Sequence, residues 1–328
     1  MGYSQEIFEE VQKKLYKKRN EAWEELERKK EILYRRFPMA EKIEKELSST
    51  ALQSARAVIA GNNSKTELIK LREKNKLLRE KLKEILLSVD LPEDYLEINY
   101  SCKKCSDEGF VDGIMCECMK DMLKKESYAR LNSMSPLELS SFENFSLDYY
   151  SDVSPVKSEQ SPRKRMSLIL DFCKKYAENF NVHSPGLLLT GGTGLGKTHL
   201  SLSIAREVIN KGFGVIYGSA QNIVSKMENE KFKNYQNGEE SERHYIDCDL
   251  LIIDDLGTEY STAFSSAAIY NIINSRIMMN KPTIISTNLS MKEMEKSYTY
   301  RTVSRIIGNN IRLEFLGSDI RQKMMMKR

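Results

Sequence analysis

No apolar run in this 328-residue chain approaches the ~20 residues a helix needs to span a bilayer. The opening residues, Met1-Gly2-Tyr3-Ser4-Gln5-Glu6-Ile7, hold no basic stretch ahead of an apolar one, so no secretory signal is visible. Glu6 also breaks the pattern for myristoylation at Gly2. These absences predict a cytoplasmic protein with no membrane partner. Charge of one sign is not in large excess either: 51 Lys and Arg against 47 Asp and Glu leave +4. That balance permits an acidic partner such as nucleic acid without arguing for one, because such footprints depend on clustering. No internal repeat at solenoid periods is present. Cysteine is scarce at six, yet four lie between positions 102 and 118. In a reducing compartment that clustering points to metal rather than to disulfides.

The length suits two or three domains, and 40% hydrophobic with 30% charged residues suits a globular protein rich in surface helix. Residues 1–91 read as a helical N-terminal region. Phe8, Val11, Leu15, Trp23, Leu26 and Leu33 fall near helical spacing among dense Lys and Glu. Phe37-Pro38 breaks that helix, because the residue before proline disfavours the α region. A second helix covers about 39–60 and stops at Gly61-Asn62-Asn63. Ser64 and Glu67 form a capping box at the start of a third. In it Leu71, Leu78 and Ile85 repeat every seven residues, as do Leu68, Asn75 and Leu82. This seam suits a helical hairpin packing on itself or, alternatively, a docking surface for a partner protein. Residues 92–150 follow as a cysteine-bearing module and a polar, helical connector. Residues 151–165 (SDVSPVKSEQSPRKR) have the composition of a linker. From 166 to 328, short β-rich runs alternate with helical patterns, which predicts an α/β domain with a parallel sheet.

In that last domain the strand-like run Gly186–Thr190 leads directly into Gly191-Gly192-Thr193-Gly194-Leu195-Gly196-Lys197-Thr198, a full G-x-x-x-x-G-K-[ST] match. A helix from His199 to about Asn210 follows, stopped by Gly212. Strand, loop and helix in that order define the P-loop context. The glycines let successive N–H groups turn toward phosphate oxygens, and the helix N-terminus adds partial positive charge. Lys197 is expected to bridge the β- and γ-phosphates of ATP, and Thr198 to ligate Mg²⁺.

Leu250-Leu251-Ile252-Ile253-Asp254-Asp255 is an aliphatic strand ending in two carboxylates, a Walker B pattern. Asp254 is expected to hold Mg²⁺, and either Asp255 or nearby Glu259 to activate the attacking water. Val215–Gly218 is one more strand between the two motifs, and a helix from about Phe264 to Met279 follows the second. Thr283-Ile284-Ile285-Ser286-Thr287-Asn288 is a buried strand with a polar tip. Asn288 is placed to contact the γ-phosphate or its water, or else to cap the following helix.

Cys102-x-x-Cys105 and Cys116-x-Cys118 supply four thiolates within seventeen residues, with Gly109 and Gly113 between the pairs to shape a short hairpin. No histidine lies nearby, so the expected site is a closed, structural Cys₄ Zn²⁺ centre, the alternative being four reduced cysteines without a ligand. The spacing does not match the ferredoxin iron–sulfur patterns. Cys173 and Cys248 read as ordinary core or surface residues.

The runs GGTGLGKTHL, LLIIDDLGTE, KPTIISTNLS and Gly317-Ser318-Asp319-Ile320-Arg321 resemble the bacterial DnaC/DnaI helicase loaders. These are AAA+ P-loop NTPases related to DnaA and to the IstB transposition helpers. The resemblance covers residues 166–325 most fully, and the cysteine-bearing N-terminal half looks like the DnaI branch. It implies that Asn288 is a sensor 1 residue, that Arg305 (or Arg301) is an arginine finger, and that Arg321 is a sensor 2 arginine. It further implies a DnaB-type replicative helicase as partner of the N-terminal part, and single-stranded DNA and self-assembly as business of the ATPase part. Lys226, Lys231, Phe232, Lys233 and Tyr235 interleave cations with aromatics as a DNA-binding stretch does, although a solvated helix face has the same composition. The acid after the Walker B aspartate is Asp255 rather than the glutamate common in AAA+ machines, which suggests slow or switch-like hydrolysis, and a finger supplied by a neighbouring subunit would make it assembly-dependent. Two further readings stay open: an IstB-like transposition helper, and an adaptor in which nucleotide binding alone switches DNA binding.

Overall fold

The computed structural model describes residues 3, 5–59, 64–134, 140–154, 160–233 and 238–326. They form two compact units, Gln12–Cys118 and Met1–Val11 together with Met119–Arg328.

The first unit is built on α1 (Gln5–Arg36) from Gln12 onward, α2 (Pro38–Ile59) and α3 (Ser64–Leu87). In α1 the buried stripe is Leu15, Ala22, Leu26 and Leu33. Steps of seven, four and seven keep those side chains on one helical face. Trp23 is one residue off that register, a rotation of about 100°, and it is 44% exposed rather than buried as its apolar character suggests. Phe37 separates α1 from α2, whose first residue is Pro38, a position where the missing N–H costs nothing. α2 packs along α3. Asn75, the polar member of the heptad seam, accepts a 2.5 Å hydrogen bond from the Thr50 hydroxyl of α2, and Thr50 is buried. The seam is therefore used within the hairpin. Leu33, Ala40 and Leu86 close its base together with Tyr95 and Leu96. The Gly61-Asn62-Asn63 stop and the side chains of the Ser64/Glu67 cap lie outside the described residues. The unit ends in a two-stranded antiparallel hairpin, β1 (Phe110–Val111) and β2 (Ile114–Met115). Asp112 and Gly113 join the strands with φ of 50° and 77°, the left-handed pair an Asp-Gly hairpin turn needs.

The second unit holds a five-stranded parallel sheet in the order β4-β5-β6-β3-β7. The strands are β3 (Gly186–Thr190), β4 (Val215–Ser219), β5 (Leu250–Leu256), β6 (Thr283–Thr287) and β7 (Asn310–Glu314). After β3 the chain crosses to the far edge at β4 and returns through β5 and β6 to lie beside β3. The strand between the P-loop strand and the Walker B strand in space is thus β6, not the β4 that separates them in sequence. Residues alternate between the sheet faces, as the strand period of two requires. Leu187, Leu189, Ile252, Ile284 and Leu313 face a core completed by α5 (Pro162–Glu178) and α6 (Lys197–Asn210). Leu188, Leu251, Ile253 and Ile285 face a core completed by α7 (Ala220–Lys233), α8 (Gly238–Asp247), α9 (Ala263–Met278), α10 (Met291–Ser297) and α11 (Tyr300–Asn309). Burial on both faces explains the unbroken aliphatic runs.

Helix α4 (Glu117–Met134) enters this unit, and α12 (Ile320–Met326) is the last helix described. Phe142, Phe145 and Tyr150, from the stretch whose polar texture reads as a connector, are buried in the same core as α5 and α6. Within the linker-like segment, Ser161 and Pro162 are a helix start: the Ser161 hydroxyl accepts from the Lys164 N–H, and Pro162 is the first residue of α5. The short apolar-polar punctuation there marks a cap rather than loose chain. No described helix is long and apolar enough to cross a membrane.

Candidate nucleotide-binding site

A cavity opens at the C-terminal edge of the sheet, where β3, β5 and β6 end. Its lining combines the P-loop residues Thr193 to His199 with Asp255, Asn288 and Arg321. Gly191 has φ 137°, Gly194 72° and Gly196 88°, conformations that favour glycine. Space matters as much: a Cβ on Gly194 would stand 1.9 Å from Asp319 Oδ1. The Ile320 N–H donates to the Gly194 carbonyl at 3.0 Å, so the start of α12 is seated on the P-loop and carries Arg321 to the cavity. Gly196 precedes α6 and offers no side-chain cap, which leaves the first-turn N–H groups of that helix free to meet an anion.

Lys197 is only 5% exposed. Its ammonium donates to the Gly191 and Gly192 carbonyls at 2.7 Å each and to Asn288 Oδ1 at 2.6 Å. Burial draws its pKa below the ordinary lysine value, against the pull of Asp255 and Asp254. Asn288 reaches on through its amide to Asp255 Oδ1 at 3.3 Å.

The two acids differ in surroundings. Asp254 is 4% exposed and accepts from three hydroxyls: Thr198 at 2.9 Å, Tyr217 at 2.8 Å, and Ser286. Asp255 sits at a register irregularity between β5 and β6, with a left-handed φ of 52°. Its N–H donates to Ser286 Oγ, and its carbonyl accepts from the Thr258 hydroxyl. A bulge of this kind re-aims a side chain, here into the cavity. Burial, and then the Asp254 charge, push the Asp255 pKa above the usual carboxylate value.

The other expected residues fall as follows. Gly192, Thr193 and Leu195 form the P-loop itself, with Leu195 buried. Glu259 stands apart from the cavity: it accepts from the Tyr298 hydroxyl and from the Gly257 N–H. Arg305 lies over the Tyr270 ring, 5.7 Å from its centroid, and outside the cavity lining; Arg301 is exposed. Among the proposed DNA contacts, Lys226 is bonded to Glu6 at 3.1 Å, and Lys231 lies over the Phe264 ring. The side chains of Phe232 and Lys233, and all of Tyr235, lie outside the described residues.

Sequence reasoning missed two groups. Asn144, Phe145, Ser146 and Tyr149 line the cavity together with the phosphate loop, and the Tyr150 hydroxyl donates to the Leu195 carbonyl at 2.8 Å. The aromatic density of Phe142, Phe145, Tyr149 and Tyr150 was the available signal, since a solvated connector has no use for it. Tyr217 and Ser286 were missed as partners of Asp254, because strand register does not show in a single sequence.

In the other unit the four cysteine sulfurs lie within 4.8 Å of one another, with 3.8 Å between Cys102 and Cys116 and 3.4 Å between Cys105 and Cys118. A tetrahedron with Zn–S bonds of about 2.3 Å has sulfur–sulfur edges of about 3.8 Å. The donor set fits a tetrahedral ion of that size. Buried Asp107 ties the turn by accepting from the Ser101 and Cys102 N–H groups, and the Gly109 N–H donates to Cys105 Sγ. Backbone N–H groups of Cys105 and then Lys104 draw the Cys102 thiol down to about 7.

The sheet order, the phosphate loop and the paired acids define an α/β fold of the P-loop class with a candidate nucleotide site at its sheet edge. Residues 170–311 match the family model of IstB-like ATP binding protein. The chain is similar to the replicative helicase loader DnaC of Escherichia coli (strain K12), 28% identical over 160 residues, or 48% of this chain and 65% of that protein. It is likewise similar to DnaC of Buchnera aphidicola (Acyrthosiphon pisum), 28% identical over 156 residues, covering 47% and 63%. The matches thus span just under two thirds of those relatives' length. Among solved structures, the DnaC helicase loader is similar with a TM-score of 0.44 and 22% identity, over 53% of this chain and 98% of that one.

Proposed function

We propose that the chain is an ATP-dependent loader of a replicative DnaB-type helicase. The observation that carries this reading is one network, Lys197–Asn288–Asp255 beside Thr198–Asp254, in a stretch similar to helicase loaders. In it Lys197 leaves its carbonyl partners to meet the β- and γ-phosphates, a short movement for a flexible ammonium. Thr198 and Asp254 hold Mg²⁺. The ion when bound neutralises phosphate charge. Asp255, rather than Glu259, orients or deprotonates the attacking water, because it lines the cavity and its raised pKa makes it a better proton acceptor. Glu259 instead braces the loop through Tyr298 and Gly257. Asn288 positions the water or the γ-phosphate.

Arg321 acts in the chain's own site. Arg305 lies outside that site and acts in a neighbouring subunit's, so that hydrolysis depends on homo-oligomeric assembly. Phe145 and Tyr149 receive the base. The four cysteines hold a structural Zn²⁺ that cross-links the β1–β2 hairpin, and this module with the N-terminal helices grips the helicase. The ATPase unit binds single-stranded DNA, and nucleotide biases the assembly between a holding and a releasing state. The family-model match favours one second reading, an IstB-like transposition helper; the cysteine module argues for the loader, since it suits a docking domain.

The test is to mix the protein with its organism's replicative helicase, with and without ATP, and measure complex mass by light scattering. A discrete complex that requires residues 1–150 and changes with ATP for wild type but not for Lys197→Ala is expected. No complex under any nucleotide condition overturns the loader reading in favour of the transposition helper.

A further inference from the structure

Asp254 is almost completely removed from water, yet it carries more donors than a metal-holding carboxylate needs. Besides Thr198, it accepts from Tyr217 at 2.8 Å and from Ser286. Neither belongs to the P-loop or to the Walker B strand. Tyr217 reaches it across the sheet. In the parallel β4–β5 pair, Tyr217 is registered with Ile252 and Ser219 with Asp254. Tyr217 and Asp254 therefore share a face as diagonal neighbours, a separation of roughly 7–8 Å between Cα atoms that a long aromatic side chain spans and a serine or threonine does not. Tyr217 is 8% exposed and belongs to the same buried core as Ile252, with which it is registered. Ser286, fully buried, uses its one hydroxyl twice: it donates to Asp254 and accepts the Asp255 N–H at 2.9 Å.

A carboxylate with one donor swings about its terminal torsion, which is broad and roughly two-fold. Three donors on two oxygens leave one orientation. We propose that Tyr217 and Ser286 are positioning residues that fix the Asp254 carboxylate, so that Mg²⁺ affinity depends on a phenol whose strand is separated from the P-loop strand by two others. The inference rests on the reading of Asp254 as the Mg²⁺ ligand. Outer-shell partners of metal ligands are worth about 10–100-fold in metal affinity, which sets the expected size of the effect.

The experiment titrates Mg²⁺ into the full-length protein holding a fluorescent ATP analogue, for wild type, Tyr217→Phe, Ser286→Ala and Asp254→Asn. Mn²⁺ binding followed by electron paramagnetic resonance is the direct second readout. Phenylalanine keeps the ring in its packing, and circular dichroism confirms the fold. Tyr217→Phe is expected to raise the midpoint for Mg²⁺ about ten-fold or more, and Ser286→Ala to move it in the same direction. Analogue binding in EDTA should stay within about two-fold of wild type. A residue that only fills the core would lower both affinities together or neither. Unchanged midpoints in Tyr217→Phe and Ser286→Ala, with a shift in Asp254→Asn, overturn this inference alone. An unshifted Asp254→Asn overturns the Mg²⁺ role of Asp254 and this inference with it. If Tyr217→Phe does not fold, Ser286→Ala decides by the same criteria.

Discussion

Asp255 bears three unfavourable conditions at once: partial burial, the Asp254 charge beside it, and a left-handed backbone. Its pKa is raised, so the folded protein binds that proton more tightly than the unfolded chain does. The associated stability is fully present below the ordinary aspartate pKa and is lost as pH rises through the raised value. Asparagine removes the charge and tolerates the left-handed conformation. Asp255→Asn should therefore raise the thermal midpoint of the nucleotide-free protein at pH 7, and the gain should shrink as pH falls through the carboxylate range, while hydrolysis is lost. Calorimetry across pH checks this, and an unchanged or lowered midpoint at pH 7 would count against the account of the bulge. Arg276 shows the opposite economy. Fully buried, it donates to the carbonyls of Tyr245, Ile246, Cys248 and Pro282 and to the Thr283 hydroxyl, tying the end of α8 to the start of β6. Arg276→Met strands those acceptors without water, and we expect a loss on the order of 3 kcal/mol in urea unfolding.

At the scale of elements, the P-loop and α12 act as one piece. Gly194→Ala places a methyl group against the Asp319 carboxylate and strains a φ of 72°, so that carboxylate must move and give up the Arg321 N–H it accepts. Nucleotide affinity should fall about ten-fold or more in equilibrium binding, since the left-handed alanine alone costs roughly 1–2 kcal/mol. The β1–β2 hairpin is too short to hold itself, as isolated two-stranded hairpins are marginal. Cys105→Ser should abolish a bound zinc stoichiometry of about one per chain, measured by metal release, and leave nucleotide binding intact, because the cavity is lined entirely by the other unit.

These elements also show what a single sequence makes legible. The P-loop, the Walker B strand, Asn288 and the four cysteines are written as local spacing, and each places its own backbone. Trp23 misled because an apolar residue one step off a helical stripe looks like a member of it. Residues 140–150 misled because their polar residues mask the aromatics that fill the core. Tyr217 and Ser286 stayed hidden because their meeting with Asp254 depends on strand order and register, which are tertiary facts.

For the whole molecule, the site is complete in one respect and open in another. The groups that would hold ATP and its ion converge within one unit, whereas Arg305 points to no group of its own cavity. Turnover should then rise with protein concentration and with any partner that drives assembly, and Arg305→Ala should lower assembled turnover without lowering ATP affinity.

The most direct measurement of the central claim follows helicase loading on circular single-stranded DNA carrying an annealed primer. With ATP present, the protein is expected to raise the rate at which its cognate helicase displaces the primer, and Lys197→Ala to give no increase. Displacement by the helicase that wild-type protein leaves unchanged, although the two proteins and ATP are all present, would contradict the account.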